Sequence, residues 1–206
     1  MKAVYKIIRH TMCSWAPLAA WGFFAFLGGI RGETFPIGMY VGMMGLMSIN
    51  FLVEQRAWER TLRLLPVDGR MLILGRYLCN ILMAALTGAV FALGCVLGKN
   101  QKFLVEIPMI MACVIAIGAI CLPLQYAFQD QRKQWGWSLT VGVLSAFGCR
   151  SLMEREAEFV YAGEKLNRVT IHPVPLGRGM AALAIALAAA ALSWYISCRL
   201  DADREW

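Results

Sequence analysis

EQRAWERTLRLLPVDGRMLILGR, residues 54–76, decides the fold, because this polar insert sits between two apolar runs of membrane length. Glu54, Arg56, Trp58, Glu59, Arg60 and Arg63 fall at helical spacing within it. Leu65-Pro66-Val67-Asp68-Gly69 then stops the helix, and the chain re-enters apolar sequence at Arg70. On an isolated helix the Glu59–Arg63 pair contributes only ~0.2–0.5 kcal/mol, so stability does not account for the insert. Trp58, Leu62, Leu64 and Leu65 supply an apolar side that suits either lipid or a groove on a partner. An amphipathic helix tied to the ends of two membrane helices is placed to receive force at the membrane face.

Outward from the insert, the chain is 59% hydrophobic and 16% charged over 206 residues, against ~45–50% apolar in soluble domains. Its charges gather between apolar runs. A bilayer core of ~30 Å takes about 20 helical residues per crossing. Lipid offers the backbone no hydrogen-bond partner, so such runs must be helices. The pattern predicts an all-α membrane protein with crossings at 14–30, 36–53, 77–97, 107–124, 135–149 and 179–198. The fifth run is short for a crossing. All of it forms one domain, 1–206, with no room for a soluble catalytic domain.

Basic residues set the expected orientation. With the N-terminus inside, Lys2, Lys6, Arg9, Arg56, Arg60, Arg63, Arg70, Arg76, Arg132, Lys133, Arg199 and Arg204 are cytoplasmic, which is the majority of the 20 Lys and Arg. Both termini are therefore expected inside a multi-pass protein of the cell membrane. The net charge of +7 then answers the anionic inner leaflet rather than nucleic acid. Val4, Tyr5, Ile7 and Ile8 among Lys2, Lys6 and Arg9 suit an N-terminal helix lying in the interface. The first apolar run continues through Trp21, Phe23, Phe24, Phe26 and Leu27 with no small-residue cleavage site after it, so it reads as an anchor.

Candidate chemistry is sparse. The seven cysteines form no CxxC pair and read as small buried hydrophobes, and no metal site is expected. Gly94-Cys-Val-Leu-Gly98-Lys99-Asn100 has one residue too few between its glycines for a phosphate loop, and Asn100 stands where Ser or Thr would hold Mg²⁺. The interiors of the six runs lack Asp, Glu, Lys, Arg and His, which counts against a proton-driven carrier or an intramembrane protease. Energy for any transport is expected to enter from another chain.

The second run places Met39, Met43 and Met47 every four residues beside Tyr40 and Met44, with Gly38 and Gly42 as a small-xxx-small pair and Asn50 near its inner end. Methionines accept irregular apolar partners and small residues admit close helix approach. A packed interface is one reading; a pathway for amphipathic substrates, or a dimer seam, is the other. The outer segment 150–178 begins with SLMEREAEFVYAGEKL, expected as a short surface helix, and continues as IHPVPLG, expected as extended chain because Pro173 and Pro175 restrict their predecessors.

Three stretches resemble the type-2 ATP-binding-cassette (ABC) exporter permeases, and in particular the small six-helix permeases associated with bacterial peptide export. They are Glu54, Trp58-Glu59-Arg60, Leu65-Pro66-Val67, Arg70 and Leu74-Gly75-Arg76-Tyr77-Leu78, with Arg76 where Lys is usual; then Leu122-Pro123-Leu124 with Phe128; then Ser193-Trp194-Tyr195-Ile196-Ser197, followed by Arg199-Leu200 and the tail Asp203-Arg204-Glu205.

The resemblance implies a permease without catalysis of its own. It implies two copies of a separate ATPase subunit carrying ATP and Mg, a second permease copy as a homodimer, and lipid around the pair. It makes Glu54, Arg56, Trp58, Glu59, Arg60, Arg63, Leu65 and Pro66 a cytoplasmic coupling helix that contacts the ATPase. Residues 125–134 would be the second contact. The expected cargo is an amphipathic peptide or similar molecule, with Met39, Tyr40, Met43, Met47 and Asn50 as the candidate pathway. The alternative is a small integral membrane enzyme acting on lipids or prenylated chains, which would need acids or histidines clustered at helix ends.

Overall fold

The computed structural model describes residues 15–32, 69–127, 157–162 and 165–202, with single helical positions at 136, 137, 140, 144, 148 and 151. Its elements are α1 (Trp15–Arg31), α2 (Gly69–Leu97), a 3-10 turn (Gln101–Glu106), α3 (Ile107–Ala127), β1 (Ala157–Ala162), β2 (Lys165–Ile171) and α4 (Leu176–Ala202). Three helical stretches are long and apolar enough to cross a membrane, Gly69–Leu97, Gln101–Leu124 and Leu176–Ala202. The crossing expected at 36–53 lies outside the described residues, and so do the N-terminal interfacial helix and the insert up to residue 68. Of 135–149 only Gly136, Trp137, Thr140, Leu144 and Gly148 are described, all helical and exposed.

Three of the helices run past the ends that hydropathy suggests, α3 by its last turn, to Ala127 rather than 124. α2 has 29 residues, about 43 Å at ~1.5 Å each, which exceeds a ~30 Å apolar core. It therefore begins at Gly69 rather than at 77, and its extra turns carry Arg70 and Arg76. α4 likewise has 27 residues, from Leu176 to Ala202, in place of 179–198.

α3 forms the centre. Buried residues occur on every side of it, among them Met109, Ile110, Cys113, Ile115, Ala119 and Cys121, as expected for a helix that is apolar all round. It packs against α2 on one side and α4 on the other, while α1 packs on α2. Gly88 of α2 faces Ile107 and Met111 at the start of α3, and Gly118 near the end of α3 faces Asn80 of α2, so these helices are antiparallel. Gly179 of α4 lies against Pro108 and Met109, which makes α4 parallel to α3. The starts of α2 and the ends of α3 and α4 thus share one end of the bundle.

At the other end, α1 and α2 meet through backbone. A Cβ on Gly94 would lie 2.5 Å from the Phe26 carbonyl oxygen and 3.1 Å from the Gly29 Cα, and one on Gly98 would lie 2.6 Å from the Ile30 oxygen. The Gly94–Gly98 spacing is therefore a close-packing surface of the small-xxx-small kind. α2 closes with Asn100 N–H on the Cys95 carbonyl (2.8 Å) and Lys99 N–H on that of Val96 (3.3 Å). Lys99 takes the left-handed conformation, φ 57, and together these make a Schellman end. Asn100 Nδ2 also donates to the Ile30 oxygen at the end of α1, 2.6 Å away.

The segment within 150–178 departs from the expected surface helix. Ala157–Ala162 and Lys165–Ile171 instead form an antiparallel hairpin, with a register shift between Val160 and Tyr161. Phe159, Val160, Tyr161, Val169, Thr170 and Ile171 are aromatic or β-branched, and that preference for a pleated strand overrides the acidic pattern that suggested a helix. The chain is thus a helical bundle carrying one small hairpin rather than purely α. Beyond the hairpin, His172–Pro175 is neither helix nor strand, and α4 begins at once.

Candidate functional site

Proline inside a helix has no N–H for the carbonyl four residues earlier. α3 contains Pro123 and continues to Ala127, so the Ala119 carbonyl loses its partner within the helix. A donor from α4 takes the place of that partner: Ser193 Oγ donates to the Ala119 oxygen at 2.5 Å. Ser193 in turn lies 2.6 Å from the Tyr77 hydroxyl of α2, and Tyr77 lies 2.9 Å from Ser197 Oγ. Tyr77, Ser193 and Ser197 are all buried.

The protons of this chain can be assigned by counting. Each hydroxyl has one proton. That of Ser193 is committed to Ala119, so Tyr77 must donate to Ser193, and Ser197 must donate to Tyr77. The order Ser197, Tyr77, Ser193, Ala119 C=O places every proton and joins three helices. Ser193 and Ser197 are four residues apart and continue the buried small-residue face of Gly179, Ala186 and Ala190, which lets α4 come close enough for hydroxyls to reach α3.

The residue before Tyr77 reaches another body. Arg76 Nη1 donates to the Tyr126 hydroxyl at 2.6 Å, and its guanidinium carbon is 5.2 Å from the Tyr126 ring centroid. Tyr126 lies beyond Pro123, in the last turn of α3. One turn on, Asn80 Nδ2 donates to the Ile115 oxygen at 3.3 Å, in space left open by Gly118, where a Cβ would collide with the Asn80 amide.

This cluster unites the three stretches quoted above, Leu74–Leu78, Leu122–Leu124 and Ser193–Ser197, at the end of the bundle where α2 begins. Sequence reasoning quoted them but assigned no role to Tyr77, Pro123, Ser193 or Ser197. The available signal was a proline within a membrane run and two hydroxyls one turn apart in another. The residues it did nominate, Glu54, Arg56, Trp58, Glu59, Arg60, Arg63, Leu65 and Pro66, and Met39, Tyr40, Met43, Met47 and Asn50, lie outside the described residues.

At the opposite end, Glu106 is buried, and its Oε1 accepts from Val174 N–H at 3.0 Å. The contact ties the approach to α4 onto the start of α3. Gly94–Asn100 is a helix C-terminus, whose exposed carbonyls and dipole repel phosphate rather than attract it. Among the described residues, no three His, Cys, Asp or Glu come together as a metal site would require.

A family model described as ABC-2 family transporter protein matches residues 2–200. No curated protein and no solved structure matches the chain.

Proposed function

We propose, from the premise that this chain belongs to the ABC-2 family of transporter proteins, that it is the permease half of an exporter for amphipathic, peptide-like cargo. Membership makes it a membrane permease that pairs with an ABC ATPase subunit. Beyond membership, our reading gives it two ATPase copies, which carry ATP and Mg, and a second copy of itself. It has six crossings in the cell membrane and both termini in the cytoplasm. Two features of the described helices support that count. α1 ends at the opposite end of the bundle from the start of α2, and α3 ends opposite the start of α4, which are the spans that crossings at 36–53 and 135–149 would cover.

One observation carries the mechanism. The polar insert leads directly into α2, whose first turns hold Tyr126 through Arg76, and Ser193 and Ser197 through Tyr77. Force received by Glu54, Arg56, Trp58, Glu59, Arg60, Arg63, Leu65 and Pro66 from the ATPase would therefore enter α3 and α4 through neighbouring residues. Met39, Tyr40, Met43, Met47 and Asn50 remain the proposed pathway. No observation favours the lipid-enzyme alternative.

The test replaces Trp58 and Arg60 by Ala together. The variant is expected to fold in membranes, bind the ATPase less tightly and lose ATP-dependent uptake of a labelled amphipathic peptide by inside-out vesicles. Normal uptake and a normal ATPase rate in that variant would defeat the docking assignment.

A further inference from the structure

Pro123 and the polar chain around it have a geometry that goes beyond joining helices. Pro123 removes one backbone bond from α3, leaving the turn that carries Tyr126 joined to the rest of the helix at a point able to bend. Consecutive residues of α2 then grip the two sides of that break. Arg76 holds Tyr126, beyond it. Tyr77 holds Ser193, which itself holds the carbonyl before it.

From this arrangement we propose that Pro123 is a hinge and that Tyr77 and Ser193 are positioning residues. They convert displacement of the start of α2 into bending of α3 against α4. The proposal rests on the permease reading, because the displacement is supplied by the coupled ATPase.

The chemistry supplies two arrangements of similar content. In the one observed, Ser197 donates to Tyr77. In the other, Ser197 donates to the carbonyl four residues before it, as helical serines do, and Tyr77 keeps only Ser193. The hydroxyls exchange one partner for another without leaving a buried proton unanswered. Packed interfaces with two discrete arrangements can amplify a small shift at one end of a bundle. An apolar side chain at position 77 would hold the helices together and still have no such alternative.

The experiment uses the full chain with its ATPase subunit in lipid nanodiscs. Spin labels are introduced as unnatural amino acids at Leu97 and Met180, both exposed at the far ends of α2 and α4. Distance distributions are recorded without nucleotide and with ATP plus vanadate. In the parent protein the distribution is expected to shift with nucleotide. Tyr77→Phe removes two bonds from the observed arrangement and one from the other, so the shifted population without nucleotide should rise by about three-fold to about twenty-fold, the range set by one interhelical hydrogen bond in membranes, while the ATPase subunit continues to turn over.

Ser193→Ala leaves Ser197 as the remaining partner described for the Tyr77 hydroxyl, which favours the observed arrangement and should lower the shifted population with nucleotide, and Ser193→Thr, which keeps the hydroxyl, should restore the shift. An unaltered shift in Tyr77→Phe overturns the proposal. If Tyr77→Phe does not fold, the Ser193→Ala and Ser193→Thr pair decides by the same readout, equal shifts in the two overturning it. No nucleotide-dependent shift in the parent protein would instead overturn the permease reading on which the proposal rests.

Discussion

The pairing of Ser193 with the carbonyl freed by Pro123 predicts a measurable non-additivity. Ser193→Ala removes the only donor described for the Ala119 oxygen and one of the two contacts of the Tyr77 hydroxyl, which can still turn to Ser197 at 2.9 Å. Interhelical hydrogen bonds in membranes average ~0.6 kcal/mol and reach ~1.7. A buried carbonyl with no donor adds a penalty of about 1–3 kcal/mol. The single substitution should therefore destabilise by roughly 2–4 kcal/mol.

Pro123→Ala restores a backbone N–H directed at Ala119. In that background Ser193→Ala should cost only about 0.5 kcal/mol, the share belonging to Tyr77. The cycle thus predicts a coupling energy of about 1–3 kcal/mol. It is measured by reversible unfolding of the four proteins in bicelles, with a carbon-13 label on the Ala119 carbonyl. The amide frequency of that label should move in Ser193→Ala and return toward the parent value in the double variant. Independent sites add to within about 0.3–0.5 kcal/mol, so a coupling inside that band would show that Ser193 is not the substitute donor.

Two further outcomes follow from the opposite end of the bundle. Gly94→Ala places a methyl against the backbone of Phe26, Gly29 and Ile30, where no flexible side chain can yield, and should destabilise by about 1–3 kcal/mol in the same unfolding assay; a neutral result would mean that α1 and α2 do not cross there. Glu106→Ala leaves the buried Val174 N–H without the carboxylate that accepts it at 3.0 Å and should cost about 1–3 kcal/mol. Glu106→Gln keeps an acceptor oxygen and should retain most of the stability; equal losses in the two would assign the effect to charge.

The apolar runs by themselves determined that helices form around 14–30, 77–97, 107–124 and 179–198, because lipid leaves the backbone only its own carbonyls as partners, and the described helices cover these runs. Helix ends were less legible. α2 starts at Gly69 rather than 77, and its added turns place Arg76 on Tyr126 some 50 residues away, a partner of which hydropathy has no knowledge. The hairpin was misread as a helix because its acidic spacing and its strand-forming side chains conflict locally, and pairing between 157–162 and 165–171 resolves the conflict.

Only the tertiary structure decided what Pro123, Tyr77, Ser193 and Ser197 are for. Each has no evident role in its own run: a proline near a helix end, a tyrosine after an arginine, two serines in an alanine-rich helix. Their meaning lies in one unsatisfied carbonyl, and the group that satisfies it is 74 residues distant. Local pattern reports which groups must be satisfied inside a membrane, whereas the partner that satisfies them depends on which helix faces are brought together.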